Sequence, residues 1–334
     1  MHSLWYAGID VSCRTLDVSA RDKAARQIHK ATFENSAAGH RKLVRWLTKR
    51  GRRVRVVLEP TGIYSLDLSL ALHAAKDIEL MVVNPQAARN FAEAQMQRSS
   101  TDATMALVLQ EFCARMEFVP WVAPAVEKRE LREIARRIAA LTNEKTRELN
   151  RLHASDACEV SSATVRVDLG RHIDYLAQSI AELEEGALKL IAKAPELKLA
   201  HAHLVSTYGI ADTSAIQLLG ELLVLPQDMT ARQWVAHCGL DVRAVTSGTS
   251  VRKTPRISKR GNVHIRRALY MPALVASRGE PHVRTFYEQL LARGKTKLQA
   301  IVAVMRKLLH AIYGMLKTDT DFDGRKFRSL PNAA

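Results

Sequence analysis

Leu4-Trp5-Tyr6-Ala7-Gly8-Ile9-Asp10 and Arg53-Val54-Arg55-Val56-Val57-Leu58-Glu59 are two short, mostly apolar runs, and each closes on an acid. Segments of this length, rich in β-branched and aromatic residues and bounded by turn residues, read as strands. A carboxylate at the end of a buried strand is costly to desolvate unless it meets a cation, a hydrogen-bond donor or water. Two such strand ends side by side make a site for a divalent ion. The placement points to metal-assisted chemistry on nucleic acid.

Outward from these runs, Leu16 to Arg21 and Gln27 to Phe33 follow the first through short connections, which predicts three strands in hairpin order. Asn35 is the expected N-cap of a helix that turns Leu43, Val44 and Trp46 inward. Glu59-Pro60-Thr61-Gly62 is turn chemistry. A helix over 64–75, a strand over 78–83 ended by Asn84-Pro85 and a helix from about 101 to 115 are expected next. Three strands followed by alternating helix and strand is the order of a ribonuclease-H-like α/β domain, here ending between Pro120 and Pro124. Asp102 opens the last of these helices, where an acid is either a helix-terminus residue or a third ligand.

From Glu127 the pattern changes. Leu131, Ile134, Ile138, Leu141, Leu149 and Leu152 form one apolar seam, and Leu169, Ile173, Leu176, Ile180, Leu183 and Leu190 form another. Two long helices packed as a hairpin or against partner chains are expected, with Lys145 standing where the first seam wants an apolar residue. Ala194-Pro195 closes this stretch. The glycine turn Ser206-Thr207-Tyr208-Gly209 is either a plain helix–helix turn or a set of backbone donors for a phosphate. The chain after Asp321 reads as a loosely ordered tail. The expected division is an α/β domain over 1–122, a helical, coiled-coil-like linker over 123–198, a mainly helical domain over 199–325 and a tail over 326–334.

The 334 residues suffice for two or three compact units. Fifty Lys and Arg against 34 Asp and Glu give a net charge of +16, which predicts attraction to polyanions, nucleic acid first. The charge is clustered: from Val242 to Gly279 there are nine basic residues and no acid, namely Arg243, Arg252, Lys253, Arg256, Lys259, Arg260, Arg266, Arg267 and Arg278. Such a run neutralises phosphates. Inside it, Ser247-Gly248-Thr249-Ser250 is a stretch of small residues where a hydroxyl can approach a backbone, either to bind a phosphate or to attack it. Cys13, Cys113, Cys158 and Cys238 are far apart, which excludes a zinc knuckle or redox motif and suits buried thiols in a reducing compartment. No signal-like segment or long apolar run is present, so a cytoplasmic protein without membrane association is expected.

Taken in order, Gly8-Ile9-Asp10, Glu59-Pro60-Thr61-Gly62-Ile63-Tyr64, Asn84-Pro85, Ser100-Thr101-Asp102, Cys238-Gly239-Leu240, Ser247-Gly248, Ile257-Ser258-Lys259-Arg260-Gly261-Asn262 and Arg266-Arg267-Ala268-Leu269 form a series. It resembles the insertion sequence one-ten family of transposases, relatives of the Piv DNA invertase, over nearly the whole chain. The resemblance implies a RuvC-like N-terminal domain with a four-acid metal site, a helical linker and a C-terminal transposase domain bearing a catalytic serine. It assigns Asp10, Glu59 and Asp102 as ligands of Mg²⁺ or Mn²⁺ and Ser247 as the nucleophile that forms a phosphoserine link to DNA. Arg243, Arg252, Lys253, Arg256, Lys259, Arg260, Arg266 and Arg267 are then the expected nucleic-acid contacts. The partners implied are donor and target DNA, a structured non-coding guide (bridge RNA) that pairs with both, and further copies of the chain in a dimer or tetramer.

Two positions depart from the family pattern. Met105 occupies the place of a second Asp three residues after Asp102, so the site works with three acids, borrows Glu93 or Glu111, or binds metal poorly. Tyr208 stands where relatives tend to have Pro. The competing expectations are a RuvC-like junction nuclease in which a metal activates water, and a nucleic-acid-binding relative whose chemistry has lapsed.

Overall fold

The computed structural model describes residues 4–24, 27–97, 101–247 and 251–327, apart from the side chains of Val245 and of residues 251–254. They fall into two compact units, Met1–Ala123 and Pro124–Ala334.

The first unit runs β1 (Leu4–Val11), β2 (Thr15–Asp22), β3 (Ile28–Glu34), α1 (Ala37–Leu47), β4 (Arg53–Leu58), α2 (Leu66–His73), β5 (Ile78–Val82), α3 (Pro85–Ala94) and α4 (Asp102–Arg115). The strands form one sheet in the order β3-β2-β1-β4-β5. β1, β2 and β3 are an antiparallel meander, whereas β4 pairs parallel with both β1 and β5. Alternation decides which side chains face which layer. Trp5, Ala7 and Ile9 of β1, with Val54 and Val56 of β4, pack under Leu43, Leu47, Leu68 and Leu72 of α1 and α2. Tyr6 and Val57 point the other way, toward Ala88 of α3 and Leu109 and Phe112 of α4.

Two expectations here are corrected. Ser36, not Asn35, caps α1: its Oγ accepts from Gly39 N at 3.1 Å. Asn35 instead donates to the carbonyls of Ser12 (2.8 Å) and Tyr64 (3.0 Å), tying two loops together. Asn84-Pro85 does end β5 but also starts α3, a helix absent from the sequence reading; Asn84 caps it and Pro85 fills its first turn, where no N–H is needed.

Gly8 controls how closely α4 approaches. A Cβ there would lie 2.2 Å from both Ala106 O and Gln110 N, so the backbone of α4 rests directly on β1.

Among its described residues the second unit is mainly helical, with one β-hairpin. Its elements are α5 (Val126–Asp156), α6 (Ala163–Lys193), α7 (Pro195–Val205), α8 (Asp212–Leu222), α9 (Ala231–His237), β6 (Val242–Ser247), β7 (Val251–Ile257), α10 (Val263–Gly279), α11 (Pro281–Ala292), α12 (Lys297–Thr318) and α13 (Gly324–Phe327). α5 and α6 pack on each other as a hairpin. Their roots share a core with the rest of the unit: Leu131 and Ile138 of α5 and Ile191 of α6 join Ile216 and Leu219 of α8, Leu269 of α10 and Leu308 of α12.

The seam of α5 differs from the expected one beyond Leu141. A 3.6-residue period carries it through Lys145 to Glu148, which is buried and held by Arg151 at 2.6 Å, while Leu149 turns outward and is 45% exposed. The hairpin β6–β7 lies where only a basic loop was expected; its polar residues on both faces give no alternating apolar signal. The tail expected after Asp321 is docked as far as Phe327, which is buried against Phe286 and Phe322, and residues 328–334 lie outside the described residues. The Gly209 turn is a packing turn, since a Cβ at that glycine would meet Pro272 O of α10 at 2.9 Å. Cys113 and Cys238 are buried as expected, but Cys13 and Cys158 are exposed. Among the described residues no helix is long and apolar enough to cross a membrane.

Replacing Gly8 by Ala should destabilise the first unit by about 3 kcal/mol or more, because two backbone segments must part. Amide exchange across β1 and α4 in a urea series measures it; unchanged protection would show that the close approach is dispensable.

Candidate active site: an acidic groove and a basic hairpin

β1 and β4 are parallel neighbours with Ile9 opposite Leu58, so the next residues, Asp10, still paired with β2, and Glu59, just past the end of β4, come side by side at the same edge. Asp102 reaches that edge from above. Thr101 caps α4 by accepting from Thr104 N, and the contact of Gly8 with Ala106 fixes the helix one turn further along. The three acids line one open groove of about 540 Å³, together with Arg89 and Glu93 of α3 and Met105 of α4.

The groove is electrostatically loaded. Burial, then the charges of Asp102, Glu59 and Asp17, push the Asp10 carboxyl up to about 6. Asp17 is its cross-strand partner on β2. Burial also raises Glu59, against the opposing charge of Arg89. Among the described residues no three acidic, His or Cys groups are already gathered as a metal cluster. The donor set nevertheless fits a hard divalent cation: carboxylates from the sheet edge, α3 and α4 line one groove, and, beyond burial, Asp102 and Glu59 raise the Asp10 carboxyl by their charge.

Of the two acids expected as substitutes for Met105, one lines the groove and the other does not. Glu93 lines the groove. Glu111 is engaged elsewhere, with Arg21 at 3.3 Å and Arg115 at 2.9 Å. Met105 lines the same groove as Asp102, at the i+3 position of the helix.

In the second unit, Ser247 ends β6 opposite Val251 and is exposed. Arg243 stands directly across the ladder from Arg256, and both are exposed. Like charges at that spacing repel unless an anion lies against them. The base of the hairpin is clamped: Ser258 Oγ donates to Asp241 Oδ1 at 2.5 Å, Ser258 N to Asp241 O at 2.8 Å, and Lys259 N to Gly239 O at 3.0 Å. Lys259, Arg260 and Arg267 are exposed beside it. Arg266, also expected as a nucleic-acid contact, is only partly exposed. Its Nη1 donates to the carbonyls of Cys238 (2.8 Å), Gly261 (3.3 Å) and Asn262 (3.4 Å) and braces the turn from within. Gly248, Thr249 and Ser250 and the side chains of Arg252 and Lys253 lie outside the described residues.

One structural residue escaped the sequence reading. Glu221 of α8 is buried, receives Arg136 of α5 bidentately at 2.6 and 3.0 Å, and accepts from the Asn262 amide at 2.7 Å. Asn262 in turn caps α10, accepting from His264 N and Ile265 N. Burial pushes the Glu221 carboxyl up, but the Arg136 hydrogen bonds and charge and the Asn262 amide outweigh it and hold it below the ordinary carboxylate range. The signal was a lone acid inside Leu218-Leu219-Gly220-Glu221-Leu222, an otherwise apolar stretch.

A family model described as "Transposase", of the DEDD type of IS110, matches residues 7–155, and one described as "Transposase IS116/IS110/IS902 family" matches residues 201–288. Over 96% of the chain and 98% of the relative, it is 27% identical to a pilin gene-inverting protein of Moraxella bovis. The corresponding protein of Moraxella lacunata is 28% identical over the same shares. An uncharacterized protein of insertion element IS110 from Streptomyces coelicolor is 30% identical over 46% of this chain and 38% of its own length. The first model thus spans the α/β unit with its acidic groove and the first long helix, and the second spans the segment that carries the basic hairpin. The chain belongs to the IS110 family of transposases.

Two measurements probe the groove. Because the fold raises the Asp10 pKa, it favours the protonated form, and stability falls as pH rises from about 4 through 6. In EDTA, Asp10→Asn should therefore raise the melting temperature by a few degrees above pH 6, with the gain vanishing near pH 4; a pH-independent difference would contradict the assignment. Met105→Asp should tighten Mn²⁺ binding by roughly an order of magnitude in calorimetry, since ligand charge sets affinity at hard-cation sites. An unaltered affinity would show that three acids and Glu93 already complete the donor set.

Proposed function

We propose that this protein is the transposase of an insertion sequence, an RNA-guided DNA recombinase that cuts and rejoins strands through Ser247. The observation that carries the reading is the convergence of Asp10, Glu59 and Asp102 on one groove at the strand ends of the first unit, in a chain matched along both units by transposase models. The sheet order, a three-strand meander followed by two parallel strands, supports a ribonuclease-H-like, RuvC-like fold. The family label DEDD names four acids; Asp10, Glu59 and Asp102 take three of the places and Met105 the fourth. The name of the Moraxella relatives, gene-inverting proteins, supports rearrangement of DNA rather than degradation.

In this reading Ser247 Oγ attacks a DNA phosphorus. A serine–phosphate bond forms as the P–O bond to one DNA hydroxyl breaks; the serine gives up its proton and the departing oxygen takes one up. Attack of a DNA hydroxyl from the other partner reverses the step, so the number of phosphodiester bonds is conserved. Asp10, Glu59 and Asp102 would hold Mg²⁺ or Mn²⁺, which when bound stabilises charge developing on the phosphate oxygens. Arg243, Arg256, Lys259, Arg260 and Arg267 hold the backbone, with Arg252 and Lys253 assigned the same role from the sequence. A bridge RNA pairing with donor and target DNA supplies sequence recognition, for which the +16 charge offers a protein surface. Joining two DNA partners takes several strand cuts, which favours a homo-oligomer.

The decisive experiment incubates the protein with its RNA, both DNA sites and Mg²⁺, and looks for protein–DNA adducts that survive denaturation. The wild type should form them and Ser247→Ala should not. A junction nuclease would give hydrolysed ends and no adduct, and an adduct retained by Ser247→Ala would remove the serine from its role.

A further inference from the structure

A second concavity adjoins the acidic groove, and nothing in the proposed chemistry uses it. Its volume is about 510 Å³, within the range of small-ligand pockets, and Asn35, His40, Arg41, Ile63, Tyr64 and Asp67 line it. The two hollows share a ridge. Ser12 lines the groove while the next residue, Cys13, lines the cavity, and on the opposite loop Thr61 lines the groove while Ile63 lines the cavity.

Ile63 is 76% exposed and Tyr64 47% exposed, a large aliphatic and an aromatic side chain left in water four and five residues after Glu59. Their loop is held firmly. The Asn35 amide ties Tyr64 O (3.0 Å) to Ser12 O (2.8 Å), while Asn35 Oδ1 meets His40 Nε2 at 2.8 Å. An aromatic face presented on an anchored backbone beside a phosphate-handling site is what an unpaired base stacks upon.

Beyond the rim the surface turns basic. From Arg41 to Leu58 the chain has Arg41, Lys42, Arg45, Lys49, Arg50, Arg52, Arg53 and Arg55 and no acid. Some of these are committed: Arg53 and Arg55 pair with Glu79, and Arg52 lies 3.8 Å over the Trp5 ring. Arg41, Lys42, Arg45, Lys49 and Arg50 are exposed, and among the described residues none of them is ion-paired. Arg41 and Arg45 stand one turn apart on α1, so they lie on one side of the helix. Asp67 repels a phosphate but accepts hydrogen bonds from a base N–H, which sorts the two ends of a nucleotide: base into the cavity, phosphate toward Arg41.

We propose that this cavity and the exposed face of α1 form a track for single-stranded DNA, with one unpaired base stacked on Tyr64 and Ile63 and the following phosphates held by Arg41 and Arg45. The track takes the strand that leaves the acidic groove, and to that extent it rests on the reading of the groove as the place where DNA is processed.

The test uses the full-length protein in EDTA, so that no strand is cut, with a thymidine 12-mer carrying one 5-iodouracil and an RNA oligomer of matching design. After irradiation, the DNA adduct should map to the tryptic peptide 56–76, which contains Tyr64. Tyr64→Ala should lower its yield by about tenfold, the effect of losing one stacked base, whereas Tyr64→Phe should retain it. Arg41→Gln with Arg45→Gln should lower the yield and reduce the slope of log affinity against log salt by about 1.4, as for two phosphates on a single strand. Adducts confined to other peptides, a yield indifferent to Tyr64→Ala, or crosslinking to RNA alone would overturn the proposal. Each of these outcomes leaves the serine adduct experiment standing, and failure of that adduct leaves the crosslink to be judged by itself.

Discussion

The first unit depends on a backbone-to-backbone contact, that of α4 on β1 across Gly8. Any side chain there would collide with Ala106 O and Gln110 N, so the helix would ride away from the sheet and carry Asp102 with it. Asp10 and Glu59 need no such help, because parallel pairing of β1 and β4 fixes them as neighbours. The third acid is placed by packing. Bringing it in adds its charge to the burial that already raises the Asp10 carboxyl, so the arrangement is held at a cost in stability above the pH where that group ionises.

The second unit solves a related problem with a buried ion pair. A basic hairpin is self-repelling, as the facing Arg243 and Arg256 show, and its strands contribute little apolar surface. Its base is held instead by hydrogen bonds from Ser258 and Lys259 and by the carbonyl brace of Arg266. Glu221 links Arg136 of α5 to Asn262 at the head of α10, so the long helical hairpin and the basic segment are fastened to the same carboxylate. Removing one partner from such a network leaves a buried charge unpaired, which makes it a device for fixing position.

Much of the fold was legible because it follows from short-range rules. The runs ending at Asp10 and Glu59 became β1 and β4, the hairpin order of the first three strands held, and the two long helices pair as a hairpin. Three of the misreadings rest on residues whose local signal admits a second reading. Asn35 and Ser36 are both good caps, and the choice between them was made by two distant carbonyls. Asn84-Pro85 ends a strand and begins a helix with the same atoms. Leu149 looked like seam because it is apolar, but helical phase gave the place to Glu148.

The sequence by itself determined the strands that end in acids, the amphipathic helices and the clustering of positive charge, because periodicity and composition are properties of neighbours along the chain. Only the tertiary structure decided that Glu93 faces the groove while Glu111 does not, and that Arg266 braces a turn while Arg267 stays in solvent. Those outcomes depend on which atoms remain unpaired after distant elements pack, and no local pattern encodes that remainder.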